Sequence, residues 1–494
     1  MSIRSFLVVA AAILLVPVYG MAASVDHSQF IQGPFKSGEE VTQTCLQCHD
    51  KQAEDFMKTP HWKWKGIPRT VKGLENSTEE YGKANLLNNF CTDIEGDSIV
   101  FCSKCHAGYG WTKNNNFTFK DKNKIDCLVC HAKAGNYKKG NGGQPDQKLL
   151  DAGKMDLTKA AQSVGLPNRD NCGVCHFFGG GGDAVKHGDL DSTISKPTRD
   201  HDVHMGGPAD MSCQGCHVTK DHKIAGASTF LATNDGRVSC EDCHKYPHKD
   251  SNANKILTKH TKTVACQTCH IPTFARGQAT KMSWDWSTGG QDIEPEEQFG
   301  KETYAKHKGT FVWAKDVIPT YAWYNGKTER YLKGQKIANP QEVLYISKPV
   351  GDIKDKSSKI YPFKVHTGKQ PMDSKYRYLS IFQTFGGYWS HYNWEKAITD
   401  GAKASGLPYS GKHEFVSTAF YGSINHEVAP KSNALKCRDC HMDGKRLDWK
   451  ALGYAGDPMR VGGRFEAKAE ENVVKAKADG KGSKPAKKKA AKKS

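Results

Sequence analysis

Apolar positions along this chain fall in short runs, and few of them repeat for long enough to announce a helix or strand. The first run, Phe6–Val18, is broken by Pro17, follows Arg4 and gives way to Gly20, Met21 and Ala22. A basic start, an apolar centre and a small-x-small end read as an export signal over residues 1–23. No later segment reaches the roughly 18 apolar residues of a membrane span. The expectation is an exported, periplasmic protein with no transmembrane segment in its mature chain. Further on, Lys315–Gly326 fits a short strand and turn, while Tyr376–Gly386 and His391–Ala404 permit helices. An amphipathic helix can be drawn over Phe465–Ala476, within a lysine-rich tail, 465–494, that is expected to be disordered.

So little periodicity across 494 residues raises the question of what organises the core. Apolar residues make up 37%, lean for this length, whereas 17 cysteines and 21 histidines are an excess. Sixteen of those cysteines fall into one pattern, C-x-x-C-H, repeated eight times. The repeats are Cys45/Cys48/His49, Cys102/Cys105/His106, Cys127/Cys130/His131 and Cys172/Cys175/His176. Cys213/Cys216/His217, Cys240/Cys243/His244, Cys266/Cys269/His270 and Cys437/Cys440/His441 complete the set. This spacing lets two thiols add to the vinyl groups of a haem while the next imidazole reaches its iron. Zinc sites and disulfide frameworks also use paired cysteines, but neither explains a histidine at one fixed offset eight times. The sequence therefore predicts eight covalently attached haem c groups. The predicted fold is mainly α-helical and irregular, with a haem-organised core and few short strands.

The motifs divide the chain. Seven lie in 24–270, too closely spaced for independent haem domains, so their cofactors must share one core. Residues 271–436 contain no cysteine and many aromatics, and are read as a partly helical lobe. The eighth motif occupies 437–464. The formal charge of +18 would ordinarily suggest nucleic acid. Ten lysines against four acids in 466–494 supply a third of it, and the propionates of eight haems would absorb much of the rest. Export also separates the chain from nucleic acid, so no such partner is expected. The expected partners are soluble or membrane-associated redox donor proteins.

Thirteen histidines remain after the eight in the motifs, enough for a second imidazole on seven or eight irons. His61, His187, His204, His222, His248, His260 and His426 are the candidate distal ligands. An iron lacking a second imidazole could meet substrate. Two features favour such a site. Cys91 is the one thiol outside the motifs. The segment from Cys172 to Asp189 follows a motif with four glycines and then Asp183, Lys186 and His187. A deprotonated lysine can bind iron and leaves more readily than imidazole, and Asp183 could govern its proton. Lys154, with Asp151 beside it, is the reserve candidate.

Eight motifs in seven-plus-one order, together with FFGGGGDAVKHGDLD at 177–191, resemble the octahaem tetrathionate reductase family of exported cytochromes. The resemblance implies a haem core like those of pentahaem nitrite reductases and hydroxylamine oxidoreductases. It also implies reduction of tetrathionate, nitrite or hydroxylamine at a lysine-coordinated haem. That haem would be the second, held by Cys102, Cys105 and His106. All eight motifs here end in histidine, so the lysine must come from elsewhere, Lys186 first and Lys154 second. A small oxyanion or polythionate would be the substrate, and Cys91 could attack a polythionate sulfur. The competing reading is an electron-transfer or electron-storage cytochrome with no substrate site.

Overall fold

A haem motif needs its two cysteines on one side and its histidine turned out toward the metal, and one helical turn provides this. In the computed structural model, which describes residues 25–464 except 84, 91–95, 114–116, 231–235, 237, 246–247 and 249–251, each of the eight motifs lies on or against such a turn. The first is part of the 19-residue helix Gly38–Phe56, whose N-terminus is capped by the Ser37 side chain accepting from the Glu40 N–H. That helix loses its regular geometry at one residue, His49 (φ −115°, ψ 31°), where the motif ends.

Cys48, like several other attachment cysteines, is exposed. The buried side of its helix runs through Gly38, Val41, Thr42 and Ala53. At 3.6 residues per turn Cys45 falls near that line and Cys48 about 90° round from it. The first motif therefore presents one thiol to the core and the other at its rim. The fourth motif closes the helix Arg169–His176, which begins with a reciprocal Asn168–Asn171 capping box. The fifth and sixth occupy single 3₁₀ turns, Cys213–Gly215 and Cys240–Asp242. The predicted leader 1–23 and tail 465–494, together with Cys91, lie outside the described residues.

Through the haem-bearing part the chain is helical and irregular, as its sequence suggests. Strand content gathers in the cysteine-free stretch, where eight strands form one mixed sheet. Its axis is the 15-residue strand Lys359–Asp373, paired antiparallel to His413–Ser423 along the whole run from Phe363 to Asp373. On the other edge its first residues pair with Thr320–Tyr324, and Thr367–Lys369 run parallel to part of Thr280–Asp285. The lobe's core is aromatic. Trp284 stacks on Trp286 with centroids 4.5 Å apart, and Phe382 meets Trp286 edge-on at 5.1 Å. Replacing fully buried Phe382 with alanine should destabilise this lobe by about 3–5 kcal/mol. Denaturant unfolding followed by tryptophan fluorescence would read the loss.

The helix permitted over 391–404 forms as Trp394–Ser405, capped by the Asn393 side chain and buried through Ala397, Ile398, Gly401 and Ala402. Gly401 is required there, since a Cβ would come within 2.3 Å of the Ile381 carbonyl. The helix permitted over 376–386 does not form. The Ser380 N–H donates to the Pro371 carbonyl at 2.8 Å and Leu379 bridges Met372, so the segment folds back along the long strand. Gly386, with φ 73°, then turns the chain. The strand-turn reading of 315–326 matches the strand Thr320–Tyr324.

Candidate haem centres and the exceptional second motif

A bound imidazole nitrogen stands about 2 Å from its metal and about 1 Å from its own ring centre, so two imidazoles on one iron place their ring centres roughly 6 Å apart. Seven motif histidines have a partner histidine at that separation. His27 faces His49 at 6.3 Å, His61 faces His176 at 6.2 Å, and His222 faces His131 at 6.3 Å. His204 faces His244 at 6.0 Å and His426 faces His217 at 6.3 Å. His248 faces His270 at 6.3 Å and His260 faces His441 at 6.1 Å. This spacing fits an iron between each pair. A second fit is Arg446, which lies near Cys269 and Cys440 with its buried Nε unpartnered among the described residues, as a propionate-binding guanidinium would.

Six of the pairs use histidines singled out in the sequence. The seventh uses His27, while His187 stands opposite no motif histidine among the described residues. His187 packs edge-on against Phe230 at 4.7 Å instead. The seven matched motif histidines take other partners, and His187 leads directly out of a tight glycine loop that fixes its direction. His27 precedes the first motif and lacked any local signal; its Nδ1 is held by the Val25 carbonyl at 2.9 Å.

His106 is the exception. It is completely buried, and no histidine stands near 6 Å from it among the described residues. Trp62, Trp64, Trp111, Phe117 and Phe119 enclose its ring at 4.9–6.1 Å. Trp111 Nε1 donates to its Nδ1 at 2.9 Å, and its Nε2 meets the Trp62 carbonyl at 2.5 Å. Burial lowers its pKa to about 3, so it stays neutral. Iron binding through Nε2 requires the ring to release Trp62. Lys139, unremarked in the sequence, donates to the His106 and Gly108 carbonyls and pairs with Asp126 at 2.8 Å.

Lys186 lies near this motif. Burial lowers its amine to about 7, helped by repulsion from Lys83 and Arg330, while Cys105 of the second motif acts in the opposite sense. The glycine loop makes the approach possible. Gly180 has φ 81°, and a Cβ there would fall 2.8 Å from Val185 and 3.2 Å from Phe90. From the sheet, Lys364 Nζ donates to the carbonyls of Val185 at 3.0 Å and Lys186 at 3.2 Å, pinning the loop. Asp183 points elsewhere: it accepts from the Ser192 N–H at 2.9 Å and Gln278 Nε2 at 2.7 Å. Lys154 and Asp151 are exposed around the end of the helix Gln147–Asp151.

The motifs also touch one another. Cys45 lies beside Cys127, Cys105 beside Cys175, Cys172 beside Cys213, and Cys240 beside Cys266. Cys130 acts on Cys172, Cys216 lies within electrostatic reach of Cys243, and so does Cys269 of Cys440. These contacts join all eight motifs into one series, with the fourth at the junction of the first, second and third with the rest. The first motif enters through Cys45, and exposed Cys48 takes no part in these contacts. Beside the series, Asp189 accepts from His426 Nδ1 at 3.2 Å and from the Asn425 and His426 N–H groups. A carboxylate on an axial imidazole favours the ferric state. Asp189→Asn should therefore raise the potential of one haem, by about 60 mV for each tenfold of preference lost. Spectroelectrochemical titration would detect it.

Paired imidazoles over successive C-x-x-C-H turns define a multihaem c-type cytochrome, and the comparisons with known proteins agree. The family model described as cytochrome c554 and c-prime matches residues 44–132, which hold the first three motifs. The model described as bacterial cytochrome c matches 281–444, from the sheet to the eighth motif. An uncharacterized protein of Archaeoglobus fulgidus is 23% identical over 269 residues, 45% of this chain and 88% of its own. The crystal structure of octahaem cytochrome c from Shewanella oneidensis is 47% identical with a TM-score of 0.79, covering 88% of this chain and 98% of that one. The chain belongs to the octahaem cytochromes c, redox proteins with covalently bound haem c. No described helix is long and apolar enough to cross a membrane.

Proposed function

We propose that this cytochrome is a periplasmic reductase that passes several electrons at the second motif to a small oxyanion or polythionate, nitrite or tetrathionate among them, or to hydroxylamine. One observation carries the reading: seven motif histidines face a second histidine at 6.0–6.3 Å, and His106 does not. The haems, when bound, supply the electrons, and the one at His106 supplies a coordination position open to substrate. Around it the protein's part is to keep water out, hold a displaceable amine and gather positive charge. The aromatic box from Trp62 to Phe119 does the first. Lys186 serves the second, because an amine lowered to about 7 is substantially neutral at neutral pH and has a lone pair to offer. Asp183, bonded to Ser192 and Gln278, ends a polar file that also holds Lys301, whose Nζ reaches Gln278 at 3.0 Å. It is held away from the Lys186 amine and is assigned no proton transfer.

Electron paramagnetic resonance of the oxidised holoprotein, with and without nitrite, tests the reading. Seven low-spin bis-histidine signals should ignore nitrite and one should change. Eight unresponsive centres would leave an electron carrier or store.

A further inference from the structure

Arg330 ends the short strand Thr328–Arg330 at the edge of the sheet and is only 9% exposed. Its Nη1 donates to the Thr229 carbonyl at 2.8 Å and its Nη2 to the Phe230 carbonyl at 3.2 Å. Nε is buried with no hydrogen-bond partner among the described residues. Among the described residues no ion pair joins Arg330 to a carboxylate. A buried guanidinium is unfavourable unless an anion meets it, so the question is which anion this one awaits.

Its surroundings point to the second motif. Arg330 lies over the ring of Phe420 at 5.1 Å, and Phe420 stacks on Phe230 at 5.2 Å. Lys186 Nζ stands over that same Phe230 at 4.9 Å. Two cations thus share one pair of stacked rings. Lys83 lies within electrostatic reach of both Lys186 and Cys105 and adds positive charge there. No carboxylate among the described residues acts on Lys186.

We propose that Arg330 is the anion-recognition element beside Lys186, taking an oxygen of nitrite or of a polythionate's terminal sulfonate through its Nε. The proposal rests on the reductase reading and gives it a selectivity rule: anions depend on Arg330, and neutral hydroxylamine does not. A guanidinium holding the carbonyls of Thr229 and Phe230 is already oriented, which makes it a better receptor for a planar oxyanion than a mobile lysine.

The test is titration of the oxidised holoprotein, and of its Arg330→Gln, Arg330→Lys and Lys83→Met variants, with nitrite and separately with hydroxylamine. Absorbance and resonance signals of the nitrite-responsive haem are followed. Nitrite affinity should fall about 10–100-fold in Arg330→Gln, less in Arg330→Lys and Lys83→Met, with hydroxylamine affinity within about twofold of wild type. Wild type that binds nitrite while every variant binds it equally overturns the proposal and leaves the reductase reading standing. Equal weakening toward both ligands, or a shifted haem midpoint potential with nitrite affinity kept, makes Arg330 a haem-propionate partner and also overturns it. If Arg330→Gln does not fold, Arg330→Lys and Lys83→Met decide by the same criteria. Wild type indifferent to nitrite overturns both readings.

Discussion

Changing Lys186 to methionine is expected to alter one haem spectrum in eight and to lower substrate turnover by about 10²-fold or more. Methionine preserves length and packing against Phe230 but removes the amine. The other seven motif histidines each face a second imidazole and need no ligand from Lys186, so their low-spin signals should persist. Lys186→Arg should do as badly, because a guanidinium remains charged and has no lone pair to offer. An effect on all haems would instead mean that the glycine loop had collapsed, and Lys364→Met, which removes the loop's anchor from the sheet, is the control for that outcome. Full turnover in Lys186→Met would place the displaceable ligand elsewhere, with Lys139 the next lysine beside His106.

A second large effect is expected at the fourth motif, where Cys175 touches Cys105 of the second and Cys172 touches Cys213 of the fifth. Nothing else on the series reaches Cys105 so directly. His61→Met would exchange one of two imidazoles for a thioether and raise the potential of that haem. Electrons arriving from the fifth motif would then settle there instead of passing to the second. Turnover driven by an external donor should fall about tenfold for each 60 mV of rise. Nitrite binding should be unaffected, because His106 and its aromatic box are untouched. Stopped-flow reduction would separate the two: rapid filling of the early centres, slow appearance of the reduced second haem. Unchanged donor-driven turnover would show that electrons reach the second motif by a route other than the fourth.

What the sequence disclosed depended on whether a chemical rule tied residue type to position. C-x-x-C-H is such a rule, and the attachment residues were legible without any fold. How deep each thiol sits was not, as exposed Cys48 shows, because depth follows from which side of a helix the core takes. Distal histidines obey no spacing. His204 and His260 stood near motifs, but His27 is set opposite His49 only by the path of the chain before the helix Gly38–Phe56, and His187, adjacent to Lys186, is turned onto Phe230. The sheet was hidden for a related reason. Its long strand is buried at Ile360–Lys364 without a break, alternates only from Val365 to Gln370 and is buried again to Asp373, and its partners lie up to about eighty residues away in sequence. Pairings of that range are decided by packing rather than by local pattern. Arg330 was invisible as well, since a lone arginine on a short strand gains meaning only from the rings and lysine brought beside it.

The ligand pairs have one more consequence, and it concerns how the molecule holds its shape. His260 precedes the sheet and His441 follows it, yet the two face one iron position at 6.1 Å; His217 and His426 do likewise at 6.3 Å. Each pair, once bridged by metal, fastens together points about two hundred residues apart, as a disulfide would. Loop-closure entropy values such a clasp at about 5 kcal/mol. The sheet is thereby buckled at both ends by the very centres it helps to position, and its cohesion should loosen when those two irons lose a ligand. In this chain the groups that move electrons also serve as its rivets.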